Sequence, residues 1–521
     1  MISMSGSWRN LIIVGTVARL LLSNQLSYLH PDEFFQSFQI IYNNNLPWEV
    51  LEKSNINRSI FPLLFTHFPM ILFGKYYSLT PFQILVLVKF QLTILSWLIT
   101  DWCLYRLIPI KHERIKATLF TVTSYLTLVH QSHTFSNSTE TLVLLPTLYV
   151  INDIRSYLEQ VNTEKKEKTI PSYSSTKLIV LGFLISFGTF NRITFIAWIL
   201  FPSFFLLRFF LNYPIRSFIP IISFIISCFL IIYIDTLYYE TSPTITIAPL
   251  NNLLYNMSTS NLQQHGIHSR ITHILINYPQ MVGPLIFLIF PFNFSYTKTT
   301  TFLSIISGFI ILSIFPHQEL RFLLPAVPLL SSIINFSNPD SKILSKYSKY
   351  ALTLWIIYTS IMSIFYGLVH QAGIVPSLIK LNDTILDKYS NFEANVNLIF
   401  WRTYPPPTWM IESEKLSHVA YIERIDNLDT ITIPKIDQNR IITLKGSPVS
   451  TVESAYKQIK KIENNDEVLL IAPIGAMLNI DGNLYEPLWE YSWHLDMDHF
   501  EYDLYGIETF TPGIGIYKLL L

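Results

Sequence analysis

Long apolar runs recur along most of the first 370 residues, and they constrain the fold more than any other feature of the chain. A helix of about 20 apolar residues crosses the ~30 Å hydrocarbon core of a bilayer. The candidate spans, several of them shorter than this length, are 8–24, 82–107, 117–131, 138–151, 177–191, 193–210, 217–236, 281–296, 301–316, 321–337 and 350–369. They predict an all-α polytopic membrane protein with about 11 transmembrane helices. The Phe- and Pro-rich segment 60–80 predicts an interfacial or re-entrant helix instead.

The composition agrees with a membrane protein. Of the 521 residues, 50% are hydrophobic and only 14% are charged, and the mean hydropathy is +0.36. Soluble domains carry roughly 25% charged residues. The net charge is zero, which gives no indication of a nucleic-acid partner. Cys103 and Cys228 both fall in apolar runs, so we interpret them as buried thiols rather than as a disulfide or metal ligands.

Loops rich in basic residues alternate with loops that have few, and this alternation predicts the orientation of the chain in the membrane. On the side of the N-terminus the loops hold Lys111, Arg114, Lys116, Arg155, Lys165, Lys166, Lys168, Arg208, Arg216, Lys298, Lys342, Lys346 and Lys349. The opposite loops hold few basic residues, chiefly Arg192, Arg270 and Arg321. Basic loops stay in the cytosol. The N-terminus is therefore predicted to be cytosolic, and the region after residue 370 to lie on the far side of the membrane.

The chain beyond residue 370 has the charge density of a soluble domain. Two runs within it, 466–471 (DEVLLI) and 515–520 (GIYKLL), have the short apolar pattern of strands. We therefore expect two domains, a membrane-embedded module over 1–370 and a small α+β C-terminal domain over 371–521.

The first far-side loop contains the segment HPDEFFQ, residues 30–36, which we call the acid segment. Ionisable groups close to a bilayer are candidates for function, because burying charge there is unfavourable. Asp32 and Glu33 also suit the first turn of a helix that begins at Pro31, so they can equally serve only as favourable helix-start residues. Neighbouring helical residues point about 100° apart, so the two acids are expected to differ in role.

Other polar segments fall on the same face. They are Thr134–Glu140, Asn191–Arg192, Asp235–Tyr239, His268, Pro316–Phe322, His370–Gly373 and Arg402–Pro406. Arginine binds phosphate, a carboxylate can accept a proton from a hydroxyl, and Asn, Gln and Tyr can bind sugar hydroxyls. No zinc-ligand spacing accompanies the histidines. The face as a whole indicates a substrate that carries a phosphate and many hydroxyls.

Several of these segments together resemble a known family. HPDEFFQ, Arg58-Ser59 with Pro62, TFSNSTE, NRITF and PHQELRFLLPAVPLL, in this order, resemble glycosyltransferase family 22, the mannosyltransferases of the endoplasmic reticulum that use dolichyl phosphate mannose. The resemblance covers most of residues 10–410. The continuation FFQSFQ, LNNLLYN and HGIHSRITHILINYPQM are most similar to members that add the fourth mannose of the glycosylphosphatidylinositol (GPI) precursor.

The resemblance implies a GT-C architecture and a multi-pass enzyme of the endoplasmic reticulum membrane with its active site in the lumen. It implies transfer of mannose from dolichyl phosphate mannose to the third mannose of the GPI precursor, with inversion and an α1,2 linkage. Membrane lipids and these two glycolipids are the expected partners, and no cofactor or metal is expected.

The roles of individual residues are hypotheses. Asp32 is the candidate base, and Glu33 is the alternative base or an acceptor-orienting partner. The candidates for binding the donor phosphate are Arg321, His317, Arg192 and His268. Glu319 is expected to orient Arg321, although Arg321 can also be read as a helix-end residue that reaches the interface. The remaining candidate substrate contacts are His30, Gln36, Asn137, Glu140, Asp235 and Glu319.

Three alternatives stay open. The acceptor can be that of another member, which adds the third GPI mannose or extends a lipid-linked oligosaccharide. A transporter is disfavoured because its ionisable groups would lie within spans and its halves would repeat. A non-catalytic scaffold has no need of Asp32 and Arg321 together.

Overall fold

The computed structural model describes residues 2–42, 50, 55–163, 172–241, 243–258, 261, 267–289, 294–334, 342–385, 395–411, 419–423, 431–435, 439–499 and 501–521. These residues form two compact units. The first unit comprises Met1–Asn24, Pro47–Tyr77 and Val86–Ile361, and the second comprises Gln25–Leu46, Ser78–Leu85 and Met362–Leu521.

All the regular secondary structure in the described residues of the first unit is helical. Its α-helices are Ile2–Leu22, Phe61–Thr66, Phe68–Tyr76, Pro81–Leu107 (from Val86 onward), Lys111–Val122, Tyr125–Leu128, Ser136–Thr163, Ser175–Asn191, Phe195–Ile199, Phe204–Asn212, Pro214–Tyr238, Ala248–Met257, Tyr278–Val282, Ile286–Ile289, Thr300–Ile314, Ala326–Ile333 and Lys342–Ile364. Short 3₁₀ or π turns cover His130–Ser132, His273–Asn277, Gly283–Leu285, Phe294–Lys298 and Leu320–Leu323. Helix Lys342–Ile364 runs past the end of this unit at Ile361, and the π turn Phe365–Val369 that follows it belongs to the second unit.

Four predicted spans are interrupted where one continuous helix was expected. They are 117–131, 193–210, 281–296 and 321–337. Proline accompanies two of these breaks: the turn at 200–203 contains Pro202, and Pro325 ends the turn before Ala326–Ile333. Three described helices are long and apolar enough to cross a membrane, namely Pro81–Leu107, Pro214–Tyr238 and Tyr350–Val369. The shorter apolar helices are Ser175–Asn191 and Thr300–Ile314. The total of eleven spans stays a prediction, as does the interfacial position of 60–80.

A close helix pair shows how the first unit packs. Helix Ser175–Asn191 lies against Pro214–Tyr238, and at Gly182 a Cβ atom would come within 2.3 Å of the Pro220 carbonyl oxygen. Only glycine permits this approach, as at other close helix crossings in membranes. The pair matters for function because Arg192, one of the candidate phosphate ligands, directly follows Asn191.

The second unit is built on a six-stranded mixed sheet. Its strands are β1 (Val396–Trp401), β2 (Val419–Glu423), β3 (Asn439–Lys445), β4 (Glu467–Pro473), β5 (Tyr485–Tyr491) and β6 (Ile514–Leu519). The strand order is β2-β3-β1-β4-β6-β5, in which β2, β3, β1 and β4 are parallel, and β6 is antiparallel to both β4 and β5. The α-helices of this unit include Asp32–Phe35, Phe38–Tyr42, Ile374–Lys380, Val449–Ile462 and Tyr502–Tyr505.

Burial along the strands varies with their position in the sheet. Every residue of the central strand β1 is buried, as expected of a parallel strand covered on both faces. The edge strand β5 is largely accessible and contains Pro487, which edge strands tolerate. The predicted strands 466–471 and 515–520 are confirmed as β4 and β6. The predicted α+β domain has a more specific form, with a parallel centre and an antiparallel margin.

The acid segment belongs to the second unit, together with the C-terminal sheet. By sequence it falls in the predicted 1–370 module. The compact units group residues by contact, whereas the predicted division concerned catalysis and membrane side, so that division stays a prediction. The environment of Asp32 is therefore built partly by the C-terminal region.

Candidate active site

The first unit contains two groups of polar side chains, and the first of them surrounds Arg192. Its side chain is largely buried; Nη1 donates to Ser136 Oγ at 2.9 Å, and Nε lies 3.5 Å from Glu140 Oε2. Glu140 is fully buried, and its Oε1 accepts a hydrogen bond of 2.9 Å from the Thr194 hydroxyl. Buried charges require partners of opposite charge. The Glu140 pair therefore fixes Arg192 in one position.

The second group surrounds Arg321, which lies in the 3₁₀ turn Leu320–Leu323. The carboxylate of Glu319, two residues earlier, contacts two nitrogen-bearing side chains. Its Oε1 lies 3.0 Å from Arg321 Nη2 and 2.8 Å from His317 Nε2, while its Oε2 accepts from Arg321 Nε. Two parallel N–H···O contacts hold the guanidinium plane in one orientation. Glu319 was predicted to orient Arg321, and these two contacts have the geometry that such a role requires.

His268 is held beside His317 by the backbone. The His268 N–H donates to the Pro316 carbonyl at 2.7 Å, and Gln318 N donates to His268 Nδ1 at 3.3 Å. The two imidazole centroids are 5.9 Å apart. His268 is exposed, so its ring is accessible to a ligand.

The Phe322 ring joins the two groups. The guanidinium carbons of Arg192 and Arg321 lie 5.0 and 5.4 Å from its centroid, and the His317 ring lies 5.5 Å away. A cation near an aromatic face is attracted by the ring quadrupole. We call the side chains gathered here the arginine cluster: Arg192, Arg321, His268, His317, Glu140 and Glu319. Asn137 adjoins it, with its Oδ1 3.4 Å from Arg192 Nη1.

The structure thus brings together all four residues predicted to bind the donor phosphate. The two guanidinium groups and the two carboxylates compensate each other, so with neutral histidines the cluster carries no net charge. A planar guanidinium matches the geometry of a phosphate, and its position is already fixed before a ligand arrives. Among the described residues no group of three or more His, Cys, Asp or Glu side chains could hold a metal ion.

Asp235 has a different environment. Its Oδ1 accepts hydrogen bonds of 3.0 Å from both Ser59 Oγ and Ile60 N, at the start of helix Phe61–Thr66. These contacts satisfy a helix start, which is a structural task. The contact between Asp235 and substrate stays a prediction, and these hydrogen bonds give no support for it.

The acid segment, in the second unit, forms a single short helix, Asp32–Phe35, preceded by Pro31 as predicted. The backbone N–H of Asp32 donates to His30 Nδ1 at 3.2 Å. His30 Nδ1 also lies 3.6 Å from the carboxylate oxygen Oδ1 of Asp32. Gln36 comes directly after the helix, where its N–H donates to the Asp32 carbonyl at 3.2 Å. His30 therefore braces the backbone from which the Asp32 carboxylate projects.

The two neighbouring acids differ in accessibility. The Asp32 side chain is 24% exposed, whereas Glu33 is fully buried. A base must reach the hydroxyl from which it takes a proton. The accessible Asp32 meets this condition, and the buried Glu33 does not. The division of roles between the two acids stays a prediction.

The sequence analysis named Arg402–Pro406 as a polar segment of the same face, but it did not predict which residues hold the acid segment and its flanks. These residues lie in an aromatic and proline-rich stretch, residues 404–410, which we call the YPPPTWM segment. Trp409 stacks on Phe38 at a centroid distance of 4.3 Å and an interplanar angle of 10°, and on Tyr42 at 5.2 Å and 16°. Tyr28 OH donates to the Pro405 carbonyl at 3.0 Å. The clustering of Tyr, Trp and Pro in the sequence could have indicated a packing site, but it did not indicate that these residues contact the region around the acid segment.

The family assignment comes from comparison with known proteins. The sequence pattern of the Alg9-like mannosyltransferase family matches residues 10–411, which include both the acid segment and the arginine cluster. The chain belongs to this family. It is therefore a mannosyltransferase and a multi-pass membrane protein, and the family resemblance stated from the motifs is confirmed.

Curated relatives match over the whole chain. GPI mannosyltransferase 4 of Candida albicans is 38% identical over 539 aligned residues, covering 100% of both chains. GPI mannosyltransferase 4 of Saccharomyces cerevisiae is 34% identical, covering 95% of this chain and 96% of its own. The similarity extends into the C-terminal region, beyond the part that the family pattern matches.

The fold has a counterpart among solved structures. The crystal structure of ArnT from Cupriavidus metallidurans bound to undecaprenyl phosphate matches with a TM-score of 0.53 at 10% sequence identity, covering 98% of each chain. Its apo structure gives the same TM-score. At this identity the match concerns the fold alone, and it supports the predicted GT-C type architecture.

Proposed function

We propose that the chain transfers mannose from dolichyl phosphate mannose, with inversion, to the third mannose of the GPI precursor, and forms an α1,2 linkage. The observation that carries this proposal is the end-to-end similarity to fungal proteins named GPI mannosyltransferase 4. The proposal places the enzyme in the endoplasmic reticulum membrane, with a cytosolic N-terminus and the reacting groups on the lumenal side. The alternation of basic residues between the loops supports this orientation.

The reaction is a single displacement at the anomeric carbon of the donor mannose. The acceptor hydroxyl oxygen forms the new bond to this carbon while the bond to the phosphate oxygen breaks, and dolichyl phosphate leaves. The hydroxyl proton goes to the base. Such a step needs a positioned base and a stabilised leaving group.

Asp32 is the proposed base, because its carboxylate is accessible and is braced by His30. Glu33, buried beside it, is proposed to support the segment rather than to take the proton. The remaining polar residue of the acid segment, Gln36, stays a proposed contact of the acceptor.

The arginine cluster is proposed to bind the donor phosphate. Arg321 and Arg192 supply the charge, and His317 and His268 are proposed to donate to phosphate oxygens. Charge that develops on the leaving phosphate would strengthen these contacts in the transition state, which is the condition for catalysis by binding. Asn137, Glu140 and Glu319 contribute by holding the two arginines.

Depletion of the protein in cells, followed by mass spectrometry of GPI precursors, tests the acceptor. We expect a precursor with three mannoses to accumulate, and wild-type protein to remove it. Accumulation of a two-mannose precursor would assign the chain to the preceding step instead. Accumulation of truncated lipid-linked oligosaccharides would move it to the other branch of the family.

A further inference from the structure

The carboxyl end of strand β1 leads directly to the YPPPTWM segment, and a polar group forms there. Arg402 has a left-handed backbone with φ of 54°, and its N–H donates to the Lys445 carbonyl at 2.9 Å. Non-glycine residues adopt this conformation uncommonly. The turn directs the chain out of the sheet and starts the stretch that continues into Tyr404.

Tyr404 lies between two polar partners from distant parts of the second unit. Its hydroxyl donates to Asp498 Oδ2 at 2.5 Å, and its oxygen lies 3.5 Å from His370 Nε2. Asp498 is exposed and Tyr404 is partly exposed, so these two side chains can be reached from solvent, whereas His370 is buried. A tyrosine that donates to a carboxylate becomes a better acceptor for a further hydroxyl.

The same tyrosine adjoins the acid segment. Its ring centroid lies 6.4 Å from that of His30 and 5.5 Å, edge to face, from that of Tyr28. His30 in turn receives the N–H of Asp32. The Tyr404 group and the proposed base are thus neighbours in one compact unit, separated by a single imidazole.

We propose that Tyr404 and Asp498 form a subsite for the acceptor glycan, in which their polar atoms bind sugar hydroxyls beside the one that reacts, while the buried His370 helps to position the Tyr404 hydroxyl. The ligand class fits the chemistry, because a tyrosine hydroxyl and an exposed carboxylate together offer a donor and acceptors to vicinal hydroxyls. The inference rests on the proposed function and extends it: the C-terminal region recognises the acceptor, whereas the arginine cluster serves the donor.

Steady-state kinetics of the full-length protein with dolichyl phosphate mannose and a defined three-mannose GPI acceptor test the subsite. Tyr404→Phe keeps the ring but removes the hydroxyl, so we expect the acceptor KM to rise about tenfold and the donor KM to stay unchanged. Asp498→Asn should shift the acceptor KM in the same direction. The matched control is Tyr491→Phe on the edge strand β5, which should leave both constants within about twofold of wild type.

An unchanged acceptor KM in both Tyr404→Phe and Asp498→Asn would overturn the subsite, as would an equal rise of donor and acceptor KM. The proposed function has a separate readout. If wild-type protein does not use the three-mannose acceptor, the proposed function is wrong. The ratio of the acceptor KM of the variant to that of wild type is then measured with the mannosyl acceptor that the wild type does use. A set of deoxy acceptors locates the hydroxyl: the analogue that lacks it should be used equally by wild type and Tyr404→Phe.

Discussion

The arginine cluster and the acid segment are held in place by different means. Each arginine of the cluster is fixed by a carboxylate, Glu140 or Glu319, within its own unit. The acid segment is braced by His30, by ring stacking of Phe38 on Trp409, and by the hydrogen bond from Tyr28 to Pro405. Changes in the cluster should therefore alter donor binding, whereas changes around the acid segment should alter the rate of the chemical step.

The largest effect is expected at the proposed base. Asp32→Asn keeps the size of the side chain but removes the proton acceptor, so kcat should fall about 1,000-fold while both KM values change little. The measurement is mannosyl transfer by purified protein, normalised to folded enzyme. Asp481→Asn, an exposed helix-cap aspartate of the C-terminal region, is the matched control and should retain normal kcat.

Glu33→Gln separates the two acids. If Asp32→Asn retains near-normal kcat and Glu33→Gln loses activity at an unchanged melting temperature, the roles of the two acids are reversed.

Loss of the aromatic stack of Trp409 on Phe38 and Tyr42, next to the acid segment, should have the next largest effect on activity. Trp409→Ala removes the rings that fix Phe38 and Tyr42, so the base should lose its position and kcat should fall by about 100-fold. Trp409→Phe should recover most of this rate because it restores an aromatic plane. Trp489→Ala, which disrupts the stacked pair with Tyr491 on strand β5, is the control. A lowered melting temperature with normal kcat would show that Trp409 only stabilises the fold.

Removal of a cluster arginine should have a smaller and different effect. Arg321→Ala should raise the donor KM by about 30-fold, as expected when charge-assisted hydrogen bonds to a phosphate are lost. The acceptor KM should not change. Arg270→Ala removes the same charge from an exposed residue outside the arginine cluster and serves as the control. An unchanged donor KM in Arg321→Ala would exclude Arg321 from phosphate binding.

The second unit should lose stability in acid. His494 is fully buried, and this burial lowers its pKa from 6.5 to about 3; its Nδ1 accepts the Gly373 N–H at 3.2 Å. The folded state therefore keeps His494 neutral while the unfolded state takes up a proton below pH 6.5. Stability is full above pH 6.5 and is lost as pH falls towards 3, by about 2 kcal/mol between pH 7 and pH 5.

Hydrogen exchange of the C-terminal region at the two pH values measures this loss. His494→Gln, which cannot be protonated in this range, should remove most of the pH dependence. An equal slope in the variant would assign the effect to other groups.

The smallest expected effect is that of chelation. If arginine and histidine side chains bind the donor phosphate, exhaustive chelation of divalent ions should leave transfer by the purified protein within about twofold of its untreated rate. A loss of activity that added divalent ion restores would contradict the proposed roles of Arg192 and Arg321.

Local patterns predicted local structure well. The runs that became β4 and β6 were predicted because each has the short apolar pattern of a strand between turn signals. Most apolar runs became helices, but breaks at positions such as Pro202 and Pro325 were missed because length and hydropathy weigh apolar character more than turn residues. The parallel centre of the sheet was also missed, since strand pairing between β1 and β3 joins residues more than 40 positions apart.

The sequence by itself determined a polytopic membrane protein with an Asp-Glu pair and several arginines on one predicted face, because apolar length and side-chain chemistry are properties of short segments. Its enzymatic activity was implied by the resemblance of its motifs to a known family. Only the tertiary structure decided how these residues are held. It gathered Arg192 and Arg321 around Phe322, left Asp32 accessible while burying Glu33, and placed Tyr404 and Trp409 against a segment some 370 residues earlier. Contacts of this range depend on the path of the whole chain, which no local period encodes.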